Sequence, residues 1–185
     1  MRPADPGVVG DLERILSTDR VLSRPIDRLG RSADASIYRL IPEAIVRPRS
    51  LGEVRDLLAW AARRGRHLTF RAAGTSLSGQ AVSDDVLVEI GPFFRGARVL
   101  DDGARVWSQP GVIGAHLNRL LAVHRTRIGP DPASIDAAMV GGILANNSSG
   151  MCCGVAQNSY HTLDSLRVLL ADGAELDTAQ PDADA

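Results

Sequence analysis

The sequence contains no lysine, and all 21 basic residues among its 185 residues are arginine. This absence excludes two classes of chemistry. A nucleotide-binding P-loop needs a lysine that reaches the phosphates, and an enzyme that forms a Schiff base needs a lysine amine. We attribute the lack of lysine itself to genome composition rather than to function.

The sequence also has little excess charge, few cysteines and no long apolar run. The 21 basic and 22 acidic side chains give a net charge of −1, which argues against nucleic-acid or membrane binding through a general positive field. Residues 1–14 are too charged for a signal peptide, and the apolar run 137–145 is too short to span a bilayer. The adjacent Cys152 and Cys153 exclude a disulfide framework. We expect a cytoplasmic protein that is not an integral membrane protein.

The first part of the chain predicts a small parallel α/β unit. Residues Val8–Leu22 place apolar side chains at helical spacing, whereas the charged segment Arg24–Arg39 is predicted to be irregular. Ser50 and Glu53 form the S-x-x-E pattern that begins a helix, and Gly65 stands where a left-handed residue ends one. Apolar runs before and after this helix predict strands at 44–46, 67–70 and 86–90. The order strand, helix, strand favours parallel pairing.

The second part has turn signals that are typical of antiparallel hairpins. Two hairpins are predicted, with the strand pairs 97–100/105–108 and 165–171/174–177. In each of them an Asp-Gly pair occupies the bend. Between the hairpins, Pro110 is expected in the first turn of a helix whose apolar positions are Ile113, Leu117, Leu120 and Leu121.

The predicted fold class is therefore α+β, with a small parallel βαβ subdomain followed by an antiparallel α+β subdomain. We divide the chain into an N-terminal helix and lead-in (1–40), a principal domain (41–177) and a tail (178–185). Within the principal domain, the first subdomain is expected at 41–91 and the second at 92–177.

Two loops are unusually rich in small residues. The first loop, Arg71–Gln80, directly follows a predicted strand and contains Gly74 and Gly79. Glycine lets the backbone approach a ligand closely, and consecutive N–H groups can form a nest for a pyrophosphate, assisted by nearby hydroxyls. An ordinary glycine-rich connection explains the same composition, so this loop alone leaves both interpretations open.

The second loop, Ile128–Ser134, is followed by a third segment, Met139–Gly150. Ser134 is predicted to cap a short helix, in which the pair Gly141-Gly142 lets a backbone or a flat ring pack closely. The run Asn146–Gly150 concentrates hydrogen-bonding groups with little side-chain bulk. A tightly packed turn is the alternative interpretation of this segment.

Taken together, these segments resemble the FAD-binding domain of the p-cresol methylhydroxylase (PCMH) and vanillyl-alcohol oxidase class. The similarity runs from Ser36 to Asp177 and is carried by Arg71–Gln80, Gly129–Ser134, Gly141–Gly150 and Leu166–Gly173. Within that class, the chain is most similar to the FAD-linked D-lactate dehydrogenase and glycolate oxidase flavoproteins. Two further stretches resemble the large members that fuse this domain to an iron–sulfur domain, namely Met151–Gly154 and Asn158–Thr162.

The resemblance implies a PCMH-type fold of two subdomains, incomplete at the C-terminus, with FAD as the cofactor. Residues of the first loop would wrap the FAD pyrophosphate, namely Ala73, Gly74, Thr75, Ser76 and Leu77. Residues of the second loop would line the ribityl and isoalloxazine part, namely Pro130, Asp131 and Ser134. The site would be completed by Gly142, Ala145, Asn146, Ser149, Gly150 and Gly154, with the backbone near Val168 meeting the adenine.

The resemblance also bears on how the flavin would be held. Some relatives carry a histidine in the first loop that bonds covalently to the flavin, and the aligned position here is Thr75. Threonine cannot form a histidyl link, so we predict non-covalent FAD. Cys152 and Cys153 lack the spacing of a metal or cluster site. We expect them to be small packed residues beside the cofactor, with a redox thiol as the alternative, and we expect no metal site.

The resemblance implies oxidation of a D-2-hydroxy acid of the D-lactate, glycolate or 2-hydroxyglutarate type. Electrons would pass to a non-NAD acceptor, with an iron–sulfur domain or subunit as the expected partner, in the cytoplasm or at the inner face of the membrane. The substrate-binding cap domain of such enzymes has no counterpart in these 185 residues. We therefore expect an N-terminal piece that binds FAD without being catalytically complete, and we assign no catalytic residue.

Two alternatives remain open. One is another flavoenzyme of the same fold, such as an enolpyruvyl-sugar reductase or an alcohol or sugar oxidase. The other is a truncated, non-catalytic product that binds flavin. The substrate loops of the full gene would separate the first alternative from a hydroxy-acid dehydrogenase.

Overall fold

The centre of the protein is a four-stranded mixed sheet, seen in a computed structural model that describes residues 2–180. Its strands are β1 (Val21–Leu22), β2 (Ala44–Val46), β3 (Leu68–Arg71) and β4 (Val86–Glu89). Their spatial order is β1-β2-β4-β3, with β1 antiparallel to β2 and the other neighbours parallel. The expected parallel pairing is present, but β4 lies between the two strands that flank the long helix.

Helices occur in both halves of the described chain. They are α1 (Pro6–Ile15), α2 (Pro25–Gly30), α3 (Leu51–Arg64), α4 (Gly114–Leu121) and α5 (Val140–Ala145). The core cluster combines apolar residues of α1 and α3 with alternate residues of β2 and β4, namely Leu12, Leu57, Trp60, Ala44, Val46, Val86 and Val88. Because β2 is buried along its whole length, it has the continuous apolar sequence of a covered parallel strand.

The boundaries predicted for α3 are confirmed, with one difference in the cap. Ser50 Oγ accepts a hydrogen bond from the Glu53 backbone N–H at 3.2 Å, and Gly65 ends the helix with a left-handed φ of 60°. In a reciprocal capping box the glutamate would bind the Ser50 N–H. Glu53 instead accepts from the Arg49 N–H at 2.8 Å and pairs with Arg20, so it connects α3 to the segment before β1.

Two predictions for the N-terminal segment are wrong. The helix expected over Val8–Leu22 ends at Ile15, because Val21 and Leu22 pair with β2 as a strand. The segment expected to be irregular, Arg24–Arg39, contains α2. This short helix exposes Ile26 and Leu29, so it has no apolar stripe to reveal it in the sequence.

A buried arginine stabilises α2 in place of an apolar stripe. The Arg28 side chain donates from Nε to the Pro42 carbonyl at 2.6 Å and from Nη1 to the Arg2 carbonyl at 2.8 Å. Pro25 begins the helix, where its fixed φ suits the first turn. The fold of this segment therefore depends on tertiary contacts rather than on local pattern.

Both predicted hairpins are confirmed, as β5 (Ala97–Leu100) with β6 (Arg105–Ser108) and β7 (Arg167–Leu169) with β8 (Glu175–Asp177). Each forms a separate two-stranded sheet in the described part of the chain. The expectation for Pro110 is wrong, because α4 begins four residues later at Gly114. The Pro110 carbonyl instead accepts a hydrogen bond from the Gly141 N–H at 2.9 Å.

The expected tail, 178–185, lies outside the described residues from 181 onwards. The proposed boundaries after residues 40, 91 and 177 stay predictions. Between residues 2 and 180, no helix combines the length and apolar character that a membrane crossing requires.

The carboxylate of Glu89 lies at the carboxyl end of β4. Glu89 accepts hydrogen bonds from Arg31 Nε at 2.9 Å and from Arg47 Nε at 2.8 Å. Burial alone would raise the pKa of Glu89, but the two guanidinium groups outweigh burial and hold the pKa below its ordinary value. The ionised carboxylate therefore stabilises the fold.

We expect Glu89→Gln to lower the free energy of unfolding by about 2 kcal/mol at neutral pH, because two charge-assisted hydrogen bonds are lost. Since folding lowers the pKa of Glu89, this stabilisation is present above the unfolded pKa of about 4.3 and is lost as the pH falls through the folded value. Urea unfolding at neutral and acidic pH measures both effects.

The matched control is Glu175→Gln. Glu175 also accepts from two arginines, Arg55 and Arg167, but it lies in an exposed cluster. We expect a loss below about 1 kcal/mol there, as is usual for surface pairs. Equal losses for the two variants, or a Glu89→Gln loss that is unchanged in acid, would contradict this account.

Candidate functional site

The two loops and the third segment meet at one edge of the parallel strands. The first loop leaves the carboxyl end of β3, and Gly91 follows the carboxyl end of β4. A Cβ atom added at Gly142 of α5 would lie 3.7 Å from the Ala72 Cβ, and one at Gly91 would lie 2.7 Å from Met139 Cε. Ligands of open α/β sheets bind beyond the carboxyl ends of the strands, so this edge is the candidate site.

The first loop presents backbone donors that the fold itself does not use. Among residues 2–180, the N–H groups of Ala73–Leu77 have no hydrogen-bond acceptor. The Gly74 carbonyl, in contrast, accepts from the Ala35 N–H at 3.1 Å, which fixes the loop from the opposite side. Gly74 has a φ of +74°, a conformation that glycine adopts without strain. The loop therefore has the donor set of an anion nest.

The hydroxyls of the first loop are used unequally. Ser76 Oγ donates to Gln80 Oε1 at 2.9 Å and accepts from the Ser78 N–H at 3.2 Å, so it holds the loop in shape. Thr75 Oγ1 forms no hydrogen bond within the described ranges. The Leu77 side chain is exposed. The hydroxyls of Thr75 and Ser78, neither of which bonds to another described residue, therefore remain available to a ligand.

Sequence reasoning assigned no role to the side chain of Arg71, which is the last residue of β3 and the first of the loop and which lies against the loop backbone at Gly74. Its Nη1 donates to the Ala33 and Ala81 carbonyls, both at 3.0 Å. A Cβ atom added at Gly74 would lie 2.3 Å from Arg71 Nη2, so the guanidinium contacts the loop backbone. The sequence does contain a signal that could have identified Arg71, because an arginine ends the predicted strand directly before the glycine-rich residues of the loop.

The prediction that Ser134 caps a helix is wrong. Its carbonyl accepts from the Ala137 and Ala138 N–H groups at 2.8 and 2.7 Å, which makes a single turn, and α5 begins only at Val140. A short extended stretch intervenes because Met139 pairs with Ile113 as an isolated bridge. Ser134 therefore lies in a turn and does not begin a helix.

Close packing against α5 explains the first glycine of its pair. A Cβ atom added at Gly141 would lie 2.7 Å from Pro110 Cβ and 3.2 Å from the Pro110 carbonyl oxygen. Gly142 faces Ala72 at an ordinary distance. Gly141 therefore lets α5 pack closely against Pro110, whereas a Cβ atom at Gly142 would fit beside Ala72.

The second loop carries a carboxylate with an unused oxygen. Asp131 Oδ2 accepts from the Cys152 N–H at 3.1 Å, whereas its buried Oδ1 has no hydrogen-bond partner in the described part of the chain. Burial alone would raise the pKa of Asp131, but hydrogen bonds from Cys152 and Cys153 hold it below its ordinary value. An ionised, buried oxygen of this kind is suited to accept a hydrogen bond from a ligand.

A buried serine that sequence reasoning missed holds the third segment in place. Ser159 is 1% exposed, and its Oγ lies 3.1 Å from the Ile143 carbonyl oxygen and 2.9 Å from that of Ser148. Its backbone N–H also donates to the Ser148 carbonyl at 3.0 Å. Gly129 of the second loop packs against Thr162, so the stretch after Gly150 supports both parts of the site.

The remaining predicted residues lie at different depths. Pro130 and Cys153 are buried beside Asp131, whereas an outer group is exposed, comprising Ala145, Asn146, Ser149, Cys152 and Gly154. Val168 lies in β7, whose hairpin contacts α3 through the hydrogen bond from Arg55 Nε to the Gly173 carbonyl at 3.0 Å. The structure brings Gly142 to Ala72 of the first loop and Gly150 to Asp131 of the second loop, and the adenine role of Val168 stays a prediction.

The chemistry of this neighbourhood fits a dinucleotide. The unused N–H groups of Ala73–Leu77, with the Arg71 guanidinium beside them, can bind the negatively charged oxygens of a diphosphate. The unpaired Asp131 Oδ1 suits a hydrogen-bond donor such as a hydroxyl or a ring N–H. Both features belong to the residues for which the sequence resemblance implied contacts to FAD.

Comparisons with known proteins agree with this fit. A family model described as the FAD binding domain matches residues 42–179. The chain is 32% identical over 143 residues to the glycolate oxidase subunit GlcD of Escherichia coli K12, and 32% identical over 186 residues to the D-2-hydroxyglutarate dehydrogenase of the same strain. The alignments cover 76% and 94% of the chain, but only 29% and 18% of those two proteins.

A solved structure shows the same fold. The model superimposes on alkyldihydroxyacetonephosphate synthase with a TM-score of 0.81 over 96% of this chain and 37% of that one, at 22% sequence identity. This confirms the expected α+β fold of the PCMH-type flavin-binding domains and the FAD cofactor of the family. The chain spans less than a third of the length of either E. coli relative.

The contact between Gly150 and Asp131 leads to a stability prediction. A Cβ atom added at Gly150 would lie 1.8 Å from Asp131 Oδ1 and 2.4 Å from the Asp131 carbonyl oxygen. Backbone atoms cannot yield as a flexible side chain can, so we expect Gly150→Ala to lower the free energy of unfolding by about 3 kcal/mol. Hydrogen exchange of the Cys152 amide reports the loosened contact directly.

Gly154→Ala is the control in the same turn. Gly154 has a φ of +53°, and no atom of residues 2–180 lies within 4 Å of an added Cβ, so this variant loses only about 1 kcal/mol through backbone strain. The Cys152 amide should keep its protection there. Equal destabilisation by both alanines would show that the close contact between Gly150 and Asp131 is not the cause.

Proposed function

The chain belongs to the FAD-binding domain family, and from this we propose that it forms the flavin-binding part of an oxidoreductase acting on a D-2-hydroxy acid. The observation that carries the proposal is that the third segment contacts both loops, with Gly142 against Ala72 at the carboxyl end of β3 and Gly150 against Asp131. Support for the substrate class comes from the relatives, which are named for glycolate and D-2-hydroxyglutarate.

In this proposal, the residues of the site bind and orient the cofactor. The N–H groups of Ala73–Leu77 bind the diphosphate, and Thr75 Oγ1 is free to donate to it. Asp131 Oδ1 accepts a hydrogen bond from a polar group of the flavin half, in a pocket wall formed with Pro130 and Gly150. FAD, when bound, supplies the acceptor for the hydride equivalent that an alcohol loses on oxidation to a carbonyl.

The remaining roles proposed for the site come from the sequence resemblance. Gly142 and the exposed residues Ala145, Asn146, Ser149 and Gly154 complete the cofactor surface together with Ser134, and Val168 serves the adenine. The binding is non-covalent, because Thr75 stands where a histidyl link would form. Electrons pass to a non-NAD acceptor such as an iron–sulfur centre, and the setting is cytoplasmic or peripheral to the inner membrane face.

We expect the chain to bind FAD reversibly. Titration with FAD, followed by quenching of flavin fluorescence, should show saturable binding with one site per chain, and the melting temperature should rise with FAD concentration as mass action requires. Acid precipitation should leave the flavin in the supernatant. Flavin that stays with the denatured polypeptide would contradict non-covalent binding.

Two glycine variants test the site itself. Gly74 and Gly65 both have positive φ, but an added Cβ at Gly74 meets the Arg71 guanidinium, whereas one at Gly65 meets nothing within 4 Å. We expect Gly74→Ala to weaken FAD binding at least about tenfold, since the loop and its charge are displaced. Gly65→Ala should lose about 1 kcal/mol of stability and keep its FAD affinity. Equal affinities for the two variants would place the cofactor elsewhere.

The substrate class is tested in the full-length protein that carries this segment. Without oxygen, D-2-hydroxyglutarate, D-lactate or glycolate should bleach the visible absorption band of the bound flavin, whereas the L enantiomers of the first two should not. Rapid-mixing absorbance measures both. Bleaching by an aldose or a primary alcohol, with none by the hydroxy acids, would favour a sugar or alcohol oxidase instead.

A further inference from the structure

Arg71 occupies an unusual position for a charged side chain. It is the last residue of β3, its side chain is partly buried, and its guanidinium lies against the backbone of Gly74. Nη1 is held by the carbonyls of Ala33 and Ala81 at 3.0 Å. These two bonds fix the plane of the guanidinium beneath the loop whose N–H groups are unused.

The carboxylates around Arg71 are already occupied. Glu89 accepts from Arg31 and Arg47 at 2.9 and 2.8 Å, and Asp34 accepts from the Ser36 and Ala81 N–H groups at 2.9 and 3.3 Å. No carboxylate of residues 2–180 lies within 4.0 Å of the Arg71 guanidinium nitrogens. The local group of three guanidiniums and two carboxylates therefore has one surplus positive charge.

A partly buried cation without an ion pair is costly unless an anion approaches it. Burial lowers the pKa of Arg71, yet an arginine remains charged at neutral pH. The positive charge of Arg71 is therefore permanent. The bonds to Ala33 and Ala81 hold it in place against the backbone of Gly74. This arrangement favours an anion on the open side of the loop.

We propose that Arg71 is a positioning residue that holds the first loop open and supplies the positive charge beneath it for the cofactor diphosphate. The proposal rests on the proposed FAD-binding function. In this proposal the Arg71 side chain has two separable effects. Its bonds to the Ala33 and Ala81 carbonyls position the first loop, and its charge attracts the diphosphate bound by that loop. A purely structural clamp would have only the first.

Two substitutions separate these effects. Arg71→Lys keeps the charge but loses the planar fork that reaches two carbonyls, whereas Arg71→Gln keeps hydrogen-bond donors and loses the charge. Arg63→Gln makes the same change in net charge at an exposed position at the far end of α3, on the opposite edge of the sheet. Each variant of the 185-residue chain is titrated with FAD at low and at high sodium chloride concentration, and its unfolding is measured without FAD.

We expect the wild-type FAD dissociation constant to rise with salt. Arg71→Gln should bind FAD about 10- to 100-fold more weakly, with a flatter salt dependence. Arg71→Lys should lose stability without FAD but keep most of the salt dependence, and Arg63→Gln should match the wild type in both properties.

Three results would overturn the proposal. The first is wild-type FAD affinity that does not change with salt, a result that needs no variant to fold. The second is Arg71→Gln with wild-type affinity and salt dependence. The third is an Arg71→Lys variant that folds but loses both its affinity for FAD and the salt dependence of that affinity. If the wild-type chain fails to bind FAD at any salt concentration, the proposed function itself is wrong, and that outcome is distinct from the other three.

Discussion

The parallel pairing of β3 with β4 places Arg71 opposite Glu89, so both strands end at the same edge of the sheet. The remaining features of the site follow from that register. Ala72 follows Arg71 in the first loop at this edge, and Gly91 leaves room for Met139. A shift by one residue would turn the side chains of β3 to the opposite face of the sheet, and Arg71 would no longer lie opposite Glu89. The burial of β4 therefore keeps the loop and its charge in position.

Three glycines allow close contacts between segments of the site that are far apart in the sequence, because they have no side chain. Gly91, Gly141 and Gly150 each stand where an added Cβ would lie within 2.7 Å of another side chain. Their neighbours belong to distant parts of the chain, so each glycine closes a tertiary contact rather than a local turn. Ser159 completes this arrangement by binding the carbonyls at the end of α5. The small residues therefore serve packing between segments as well as ligand approach.

The sequence predicts the elements with strong local signals and misses those that depend on tertiary contacts. The helix ends at Ser50 and Gly65, the buried strand at 44–46 and both hairpin bends were found because capping, apolar run and Asp-Gly turn are local. Helix α2 was missed because Arg28 holds it through carbonyls of Pro42 and Arg2. For the site, the loop residues came from motif resemblance, whereas Arg71 and Ser159 became visible only through their contacts.

The absence of lysine acquires a structural meaning in these contacts. Arg20, Arg28 and Arg71 each donate to two main-chain carbonyls from a buried or partly buried guanidinium. A planar fork binds such pairs in one orientation, whereas an ammonium group on a flexible stem holds neither direction nor position. Whatever set the arginine content, the fold uses it as a set of rigid internal links. At Arg71 the same rigidity keeps a permanent charge under the loop, which a lysine of variable position and pKa would hold less firmly.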